Sequence, residues 1–214
     1  AIYYYDEAKG RWIILGGMVS GNTIAVQTER CAKFTVMAQE GASLTDIAGH
    51  WAEDSIRQLV AKGAVGGYPD STFKPDINIT RAEFVTILGK AFVLAPHGGK
   101  IFADTAGHWA QDAVATAVHY GIVNGYDADT FGPDDQITRE QMAVMVVNSL
   151  QLPPAAEGTS FEDSSDISDW ARAAVTTAVK QGLINGYPGN TVLPRNNATR
   201  AEAATVMVKA MPKG

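Results

Sequence analysis

Between residues 52 and 211 the apolar positions follow one pattern three times over. A first stretch sets Ala52, Ile56, Leu59 and Val60 at helical spacing, and Ala110, Val114, Ala117 and Val118, then Ala171, Val175, Ala178 and Val179, reproduce it. Gly63, Gly121 and Gly182 stop these stretches, as a residue that accepts a left-handed C-terminal turn should. A turn-rich connection follows, and then a second stretch opens on Thr80-Arg81-Ala82-Glu83, Thr138-Arg139-Glu140-Gln141 or Thr199-Arg200-Ala201-Glu202. Each of these words is a capping box, in which the Thr hydroxyl and the fourth side chain each take an amide at the helix start. Behind them run the stripes Phe84, Ile87, Leu88, Ala91, Phe92, then Met142, Met145, Val146, Ser149, Leu150, then Ala203, Val206, Met207, Ala210, Met211. Each unit is therefore helix, loop, helix. No single stripe can be buried alone, so the second helices pack together with the first helices outside them, in pseudo-threefold symmetry.

Residues 1 to 42 obey a different rule. Ile2–Tyr5, Trp12–Leu15, Thr23–Val26 and Phe34–Met37 are β-rich runs separated by turn residues, and they predict an antiparallel β-meander of three or four strands. Four short strands make a poor independent domain, which suits the end of a larger upstream β domain. The chain opens on Ala1 without a basic and apolar leader, and reads as a processed piece. The expected organisation is mainly α, with a β segment at 1–42 and repeats at 43–95, 101–152 and 160–211.

Within each repeat the spacing from a tryptophan is fixed. Trp51, Trp109 and Trp170 are followed at plus 17 by the tyrosine of Gly67-Tyr68, Gly125-Tyr126 and Gly186-Tyr187, at plus 24 by Pro75, Pro133 and Pro194, and at plus 30 by Arg81, Arg139 and Arg200. An Arg at the first position of a helix opposes the macrodipole, yet it recurs in all three units. Two readings stand. The guanidinium joins helix-start amides to hold a carboxylate or phosphate, or it pairs with Asp46, Asp104 and Asp163 to tie the units together. The tryptophans read as core or inter-unit packing before sugar platforms, with an edge available to a groove. For Tyr68, Tyr126 and Tyr187 packing and binding weigh equally, since the preceding glycine would let a ligand approach the backbone. Asn124 and Asn185 are turn residues or sugar hydrogen-bond donors. Unit one has Gly66 at that position, which implies unequal sites.

Composition narrows the chemistry. Seventeen Lys and Arg against 23 Asp and Glu give a net charge of −6, so no broad basic field gathers nucleic acid or an anionic membrane. No apolar run approaches the roughly 18 residues of a spanning helix. Cys31 is the single cysteine, which excludes an intrachain disulfide and any CxxC site. The loop from Asp127 begins like a calcium loop but places Phe131 and Thr138 where ligands belong. His50 and His108 read as helix-start residues, and no motif of nucleophilic catalysis or phosphate cradling is present, so neither enzyme activity nor a cofactor nor a metal is expected.

The words Asp-Ile-Ala-Gly-His-Trp-Ala, Gly-Tyr-Pro-Asp-Ser-Thr-Phe-Lys-Pro and Ile-Thr-Arg-Ala-Glu-Phe resemble the S-layer homology (SLH) motif, in three tandem copies over about residues 43 to 211. The resemblance implies a three-pronged spindle with a central three-helix bundle. It implies noncatalytic anchoring of an exported, extracellular protein to the pyruvylated secondary cell wall polysaccharide of Gram-positive bacteria. The family's anionic-sugar sites lie in grooves between units and use the Arg of the Thr-Arg-Ala-Glu word, here Arg81, Arg139 and Arg200. Unit two departs by placing Glu140 beside Arg139, where its charge would weaken an anion site. Unit three lacks the His before Trp170, and has Val192 and Arg195 where Phe73, Phe131 and Asp76, Asp134 stand. A monomer or weak self-association is expected. The alternatives are a protein–protein module of a surface lattice, and the anchor portion of a secreted polysaccharide-degrading enzyme.

Overall fold

The computed structural model describes residues 2–7, 10–16, 18–20, 23–26, 28, 31–37, 44–155, 158 and 160–211. Among the described residues six α-helices form three pairs: α1 (Glu53–Ala61) with α2 (Arg81–Ala91), α3 (Gln111–His119) with α4 (Arg139–Ser149), and α5 (Asp169–Lys180) with α6 (Arg200–Ala210). The three capping boxes are all formed at the starts of α2, α4 and α6. Gly63, Gly121 and Gly182 have φ of 73°, 69° and 68°, the left-handed turn that ends α1, α3 and α5.

The helices interleave rather than stack unit by unit. Helix α2 packs on α3 of the next unit, α4 on α5, and α6 returns to pack on α1. Helix α6 also touches α2 and α4. Where the loops enter these inner helices, Ile79 donates its amide to the Ala198 carbonyl, Ala198 donates to Ile137, and Ile137 donates to Ile79. Three main-chain hydrogen bonds thus make a ring with one member from each unit. All three side chains are fully buried, because the ring sits inside the single apolar core shared by the units. At its rim the Gln136 Oε1 accepts from both Asn78 (2.8 Å) and Asn197 (2.6 Å), the equivalent residues of the other units.

The first 42 residues carry β1 (Ile2–Asp6), β2 (Arg11–Gly16), β3 (Met18–Ser20), β4 (Thr23–Ala25) and β5 (Phe34–Val36). They form an antiparallel sheet in the order β2-β1-β5 and a separate pair β3-β4. This is not the simple meander expected from the sequence. The central place belongs to β1, whose run of tyrosines pairs on both sides and stacks Tyr5 edge-on against Trp12 at 5.2 Å. The predicted runs all contain strand, and Met18–Ser20 is an additional one.

Candidate functional site

Among the described residues the three arginines, with Glu140, are the most deeply placed charges, and Arg81, Arg139 and Arg200 are exposed by only 3%, 5% and 6%. Each reaches out of its own unit into the loop of the next. Arg81 Nε donates to the Phe131 carbonyl (2.9 Å) and Nη2 to the Asn124 carbonyl (3.2 Å). Arg139 Nε donates to Val192 (2.8 Å) and Nη2 to Asn185 (3.1 Å). Arg200 Nε donates to Phe73 (2.9 Å), returning from the third unit to the first. Tyr126 and Phe131 lie against Arg81 at 4.5 and 4.6 Å, Tyr187 against Arg139 at 4.6 Å, and Tyr68 and Phe73 against Arg200 at 5.0 and 4.7 Å. Val192 denies Arg139 the second ring.

The acids beside these arginines are not the predicted ones. Asp46, Asp104 and Asp163 turn instead to their own loops. The carboxylate of Asp46 accepts the amides of Phe73 and Lys74 (2.8 and 2.7 Å), Asp104 those of Phe131 and Gly132, and Asp163 those of Val192 and Leu193. A carboxylate spanning two successive amides fixes a tight bend, and Lys74, Gly132 and Leu193 there have φ of 57°, 71° and 50°. The arginines pair instead with the fourth residue of the neighbouring capping box. Arg139 Nη1 meets Glu202 at 2.8 Å, and Arg200 Nη1 meets Glu83 at 2.9 Å. Sequence reading assigned these glutamates to capping alone; their charge beside a recurrent buried-type Arg was the available signal. At the third junction the same place holds Gln141.

Nor are the helix-start amides open to an anion. The amides of Arg81 and Ala82 donate to Asp135 and Pro133, those of Arg139 and Glu140 to Asn196 and Pro194, and those of Arg200 and Ala201 to Ile77 and Pro75. The third amide goes to the Thr hydroxyl in each case. The orphan donors of a helix N-terminus are satisfied by the next unit's main chain, so the site is a guanidinium rather than an amide nest.

Gly67, Gly125 and Gly186 also have a packing cause. The space a Cβ would need is filled by Leu44, Phe102 and Phe161 respectively, with a loop carbonyl of Thr72, Thr130 or Thr191 alongside. Their bareness admits the chain's own packing. The hydroxyls of Tyr68 and Tyr187 donate to Glu83 and Glu202. Burial raises the pKa of all three tyrosines, and the Glu202 hydrogen bond helps push Tyr187 up to about 12. Asn124 and Asn185 offer their carbonyls to the arginines while their side chains stand exposed.

Trp51, Trp109 and Trp170 are 64%, 64% and 59% exposed, which overturns the expectation of core packing. A tryptophan just before a helix, or in its first turn as Trp170 is, lies outside the buried stripe, and its neighbour Ala52, Ala110 or Ala171 faces the core. Trp109 borders a cavity of about 130 Å³ between the first and second units, lined also by Gly66, Glu83, Thr86, Lys90 and Arg200. One groove thereby joins an aromatic face, two cations and an acid. It draws residues from all three units.

The departures in units two and three have structural partners. His50 and His108 accept the Ala52 and Ala110 amides on Nδ1, which leaves the Nε2 proton for Asp76 and Asp134. Arg195, standing where these acids do, donates to the Asp166 carbonyl. The amides of Gly49 and Gly107 are held by Glu53 and Gln111 of their own helices, but Ser168 is held by Glu140, which takes both its amide (2.9 Å) and its hydroxyl (2.8 Å). Glu140 is engaged at the start of α5 instead of opposing Arg139. Asp127 bonds its own loop amides at Asp129 and Thr130. Among the described residues no group of three metal-ligating side chains occurs, and no helix is long and apolar enough to cross a membrane.

A triplicated helix-loop-helix module, closed on itself and carrying a buried arginine at each junction, is the class of protein that these features define. Residues 43–85, 101–143 and 160–204 each match the S-layer homology domain, and the chain belongs to that family. It is 32% identical over 222 residues to an amylopullulanase of Thermoanaerobacterium thermosulfurigenes, a match covering all of this chain and 12% of that protein. It is 33% identical over 182 residues to exoglucanase XynX of Acetivibrio thermocellus (82% of this chain, 17% of the relative), and 34% identical over 172 residues to an S-layer protein of Bacillus licheniformis (78% and 20%). The chain thus spans a fifth or less of the length of these relatives. The SLH region is a noncatalytic, surface-anchoring one shared by S-layer proteins and cell-surface enzymes, and its place is outside the cell, at the wall.

Proposed function

We propose that this chain anchors a larger exported protein by binding the pyruvylated sugar of a secondary cell wall polymer in the grooves between its SLH units. The three units form a three-pronged spindle in this reading, with α2, α4 and α6 as its central bundle and with 43–95, 101–152 and 160–211 as its repeats. Residues 1–42 belong to an adjoining β domain. The observation that carries the proposal is the groove at Trp109, where an exposed indole stands beside Arg200 and Lys90. An indole face suits a sugar ring, and the cations suit its carboxylate. A net charge of −6 does not oppose this, because charges beyond about 8 to 10 Å are screened at physiological salt. The molecule acts as a monomer or self-associates weakly, and avidity comes from several grooves on one polymer.

The test is calorimetric titration with a pyruvylated disaccharide and its pyruvate-free analogue. The expected result is at least tenfold tighter binding of the pyruvylated form, consistent with one charge-assisted contact. Equal affinities would overturn the reading.

A further inference from the structure

The three junctions are alike in backbone and unlike in charge. At two of them the buried guanidinium meets a carboxylate of its own protein, Arg139 with Glu202 and Arg200 with Glu83. At the third, Arg81 faces Gln141, whose Oε1 is engaged by the Thr138 amide at 3.1 Å. Arg81 uses Nε and Nη2 on carbonyls, and among the described residues its Nη1, the nitrogen that reaches Glu202 and Glu83 in its counterparts, has no carboxylate. Asp104 and Asp135 contribute to the field at Arg81, but neither makes an ion pair with it. Asp104 is bound to loop amides, and Asp135 stands at the Tyr126 hydroxyl. Burial disfavours the charge of Arg81, since an uncompensated buried cation is among the costlier features a protein can hold.

The helix behind the groove changes in step. Thr86 and Lys90 on α2 correspond to Thr205 and Lys209 on α6, but to Val144 and Asn148 on α4. Asn148 is turned to the Ile122 carbonyl at 3.2 Å. The junction at α4 therefore keeps one deep cation between Tyr126 and Phe131, and α4 lacks both the acid and the lysine that α2 and α6 carry at these positions. In low local dielectric such an unpaired guanidinium makes its strongest bonds to an anion.

We infer that the junction where Arg81 of unit one meets Tyr126 and Gln141 of unit two is the principal site for the ligand's carboxylate, and that Gln141 sets this rank by withholding the carboxylate that Glu83 and Glu202 supply elsewhere. The inference rests on the anion-binding reading above. The ligand's carboxylate supplies to Arg81 the negative charge that Gln141 lacks. At the other two grooves it must displace a glutamate or stay at the rim lysine.

The experiment is titration of parent, Gln141→Glu, Gln141→Ala and Glu202→Gln with the pyruvylated disaccharide and its pyruvate-free analogue, with thermal unfolding recorded for each. Gln141→Glu installs the pair seen at the other junctions and keeps the capping box, so it should fold as the parent does and bind the pyruvylated sugar about tenfold more weakly. Gln141→Ala, which removes the amide without adding a charge, should lose less affinity than Gln141→Glu, and Glu202→Gln should lose none. A parent that prefers the pyruvylated sugar while Gln141→Glu binds it equally well overturns the ranking alone, as does an equal loss in Gln141→Ala. A parent with no preference between the two sugars removes the anion reading and the ranking with it.

Discussion

The inner and outer helices of this molecule begin in opposite ways. Helices α2, α4 and α6 have their first two amides bonded by the main chain of the following unit, and their arginines bind that same unit. Helices α1 and α3 are closed from within, by Glu53 and His50 or by Gln111 and His108. Helix α5 is the exception among the outer three, since Glu140 of the preceding unit holds Ser168. Cohesion between units is thus concentrated at the inner starts. The outer starts keep each unit's own shape, and where one of them loses its internal partner a neighbour supplies it.

The largest test of this contrast is Arg200→Ala, which strips a carbonyl, an ion pair and two aromatic contacts from the junction between units three and one. A loss of about 3 to 5 kcal/mol in urea unfolding is expected, as for a broken buried pair. An unchanged midpoint would break the comparison. Glu140→Ala should cost less, about 1.5 to 3 kcal/mol for charge-assisted bonds to Ser168, and hydrogen exchange should rise selectively in the first turn of α5. Its own-unit counterpart Glu53→Ala, at the surface, should leave a far smaller mark. The smallest effect is a pH dependence at the inner junction. Folding raises the Tyr187 pKa to about 12, through burial and the Glu202 hydrogen bond, so the fold favours the neutral phenol. That stabilisation is complete below the ordinary tyrosine pKa of about 10 and disappears as pH climbs from there towards 12. Tyr187→Phe should flatten the urea midpoint across that window, and an identical slope in both proteins would remove Tyr187 from the junction.

Local signals in the chain announced local structure. The capping boxes at Thr80, Thr138 and Thr199 and the glycine stops at Gly63, Gly121 and Gly182 were legible because the residues that make them lie within a few positions of one another. The recurrence of Arg81, Arg139 and Arg200 was legible as well, because each stands at one fixed distance from the tryptophan of its unit. What each arginine touches was hidden. Its partners lie 43 to 127 residues away, and several are carbonyls, which carry no mark of residue type. Asp46 and its counterparts looked like ion-pair partners because a sequence shows charge and not direction. Trp51, Trp109 and Trp170 looked like core because area argues for burial, whereas the helix face on which each begins turns the ring to solvent. The strand runs of 1–42 were visible by composition, but the pairing of β1 with both β2 and β5 depends on contacts distant in the chain.

The ring of amide and carbonyl contacts through Ile79, Ala198 and Ile137 also fixes a number. An open solenoid can lengthen by one repeat at either end, because each repeat meets only its neighbours. A closed triangle has no end to extend. A fourth unit would find no vacant donor, and the loss of one would leave a donor and an acceptor facing an apolar gap. Duplication or deletion in such a gene therefore succeeds by whole triplets, and cutting the loop between two units while splicing the old termini would preserve every junction that matters.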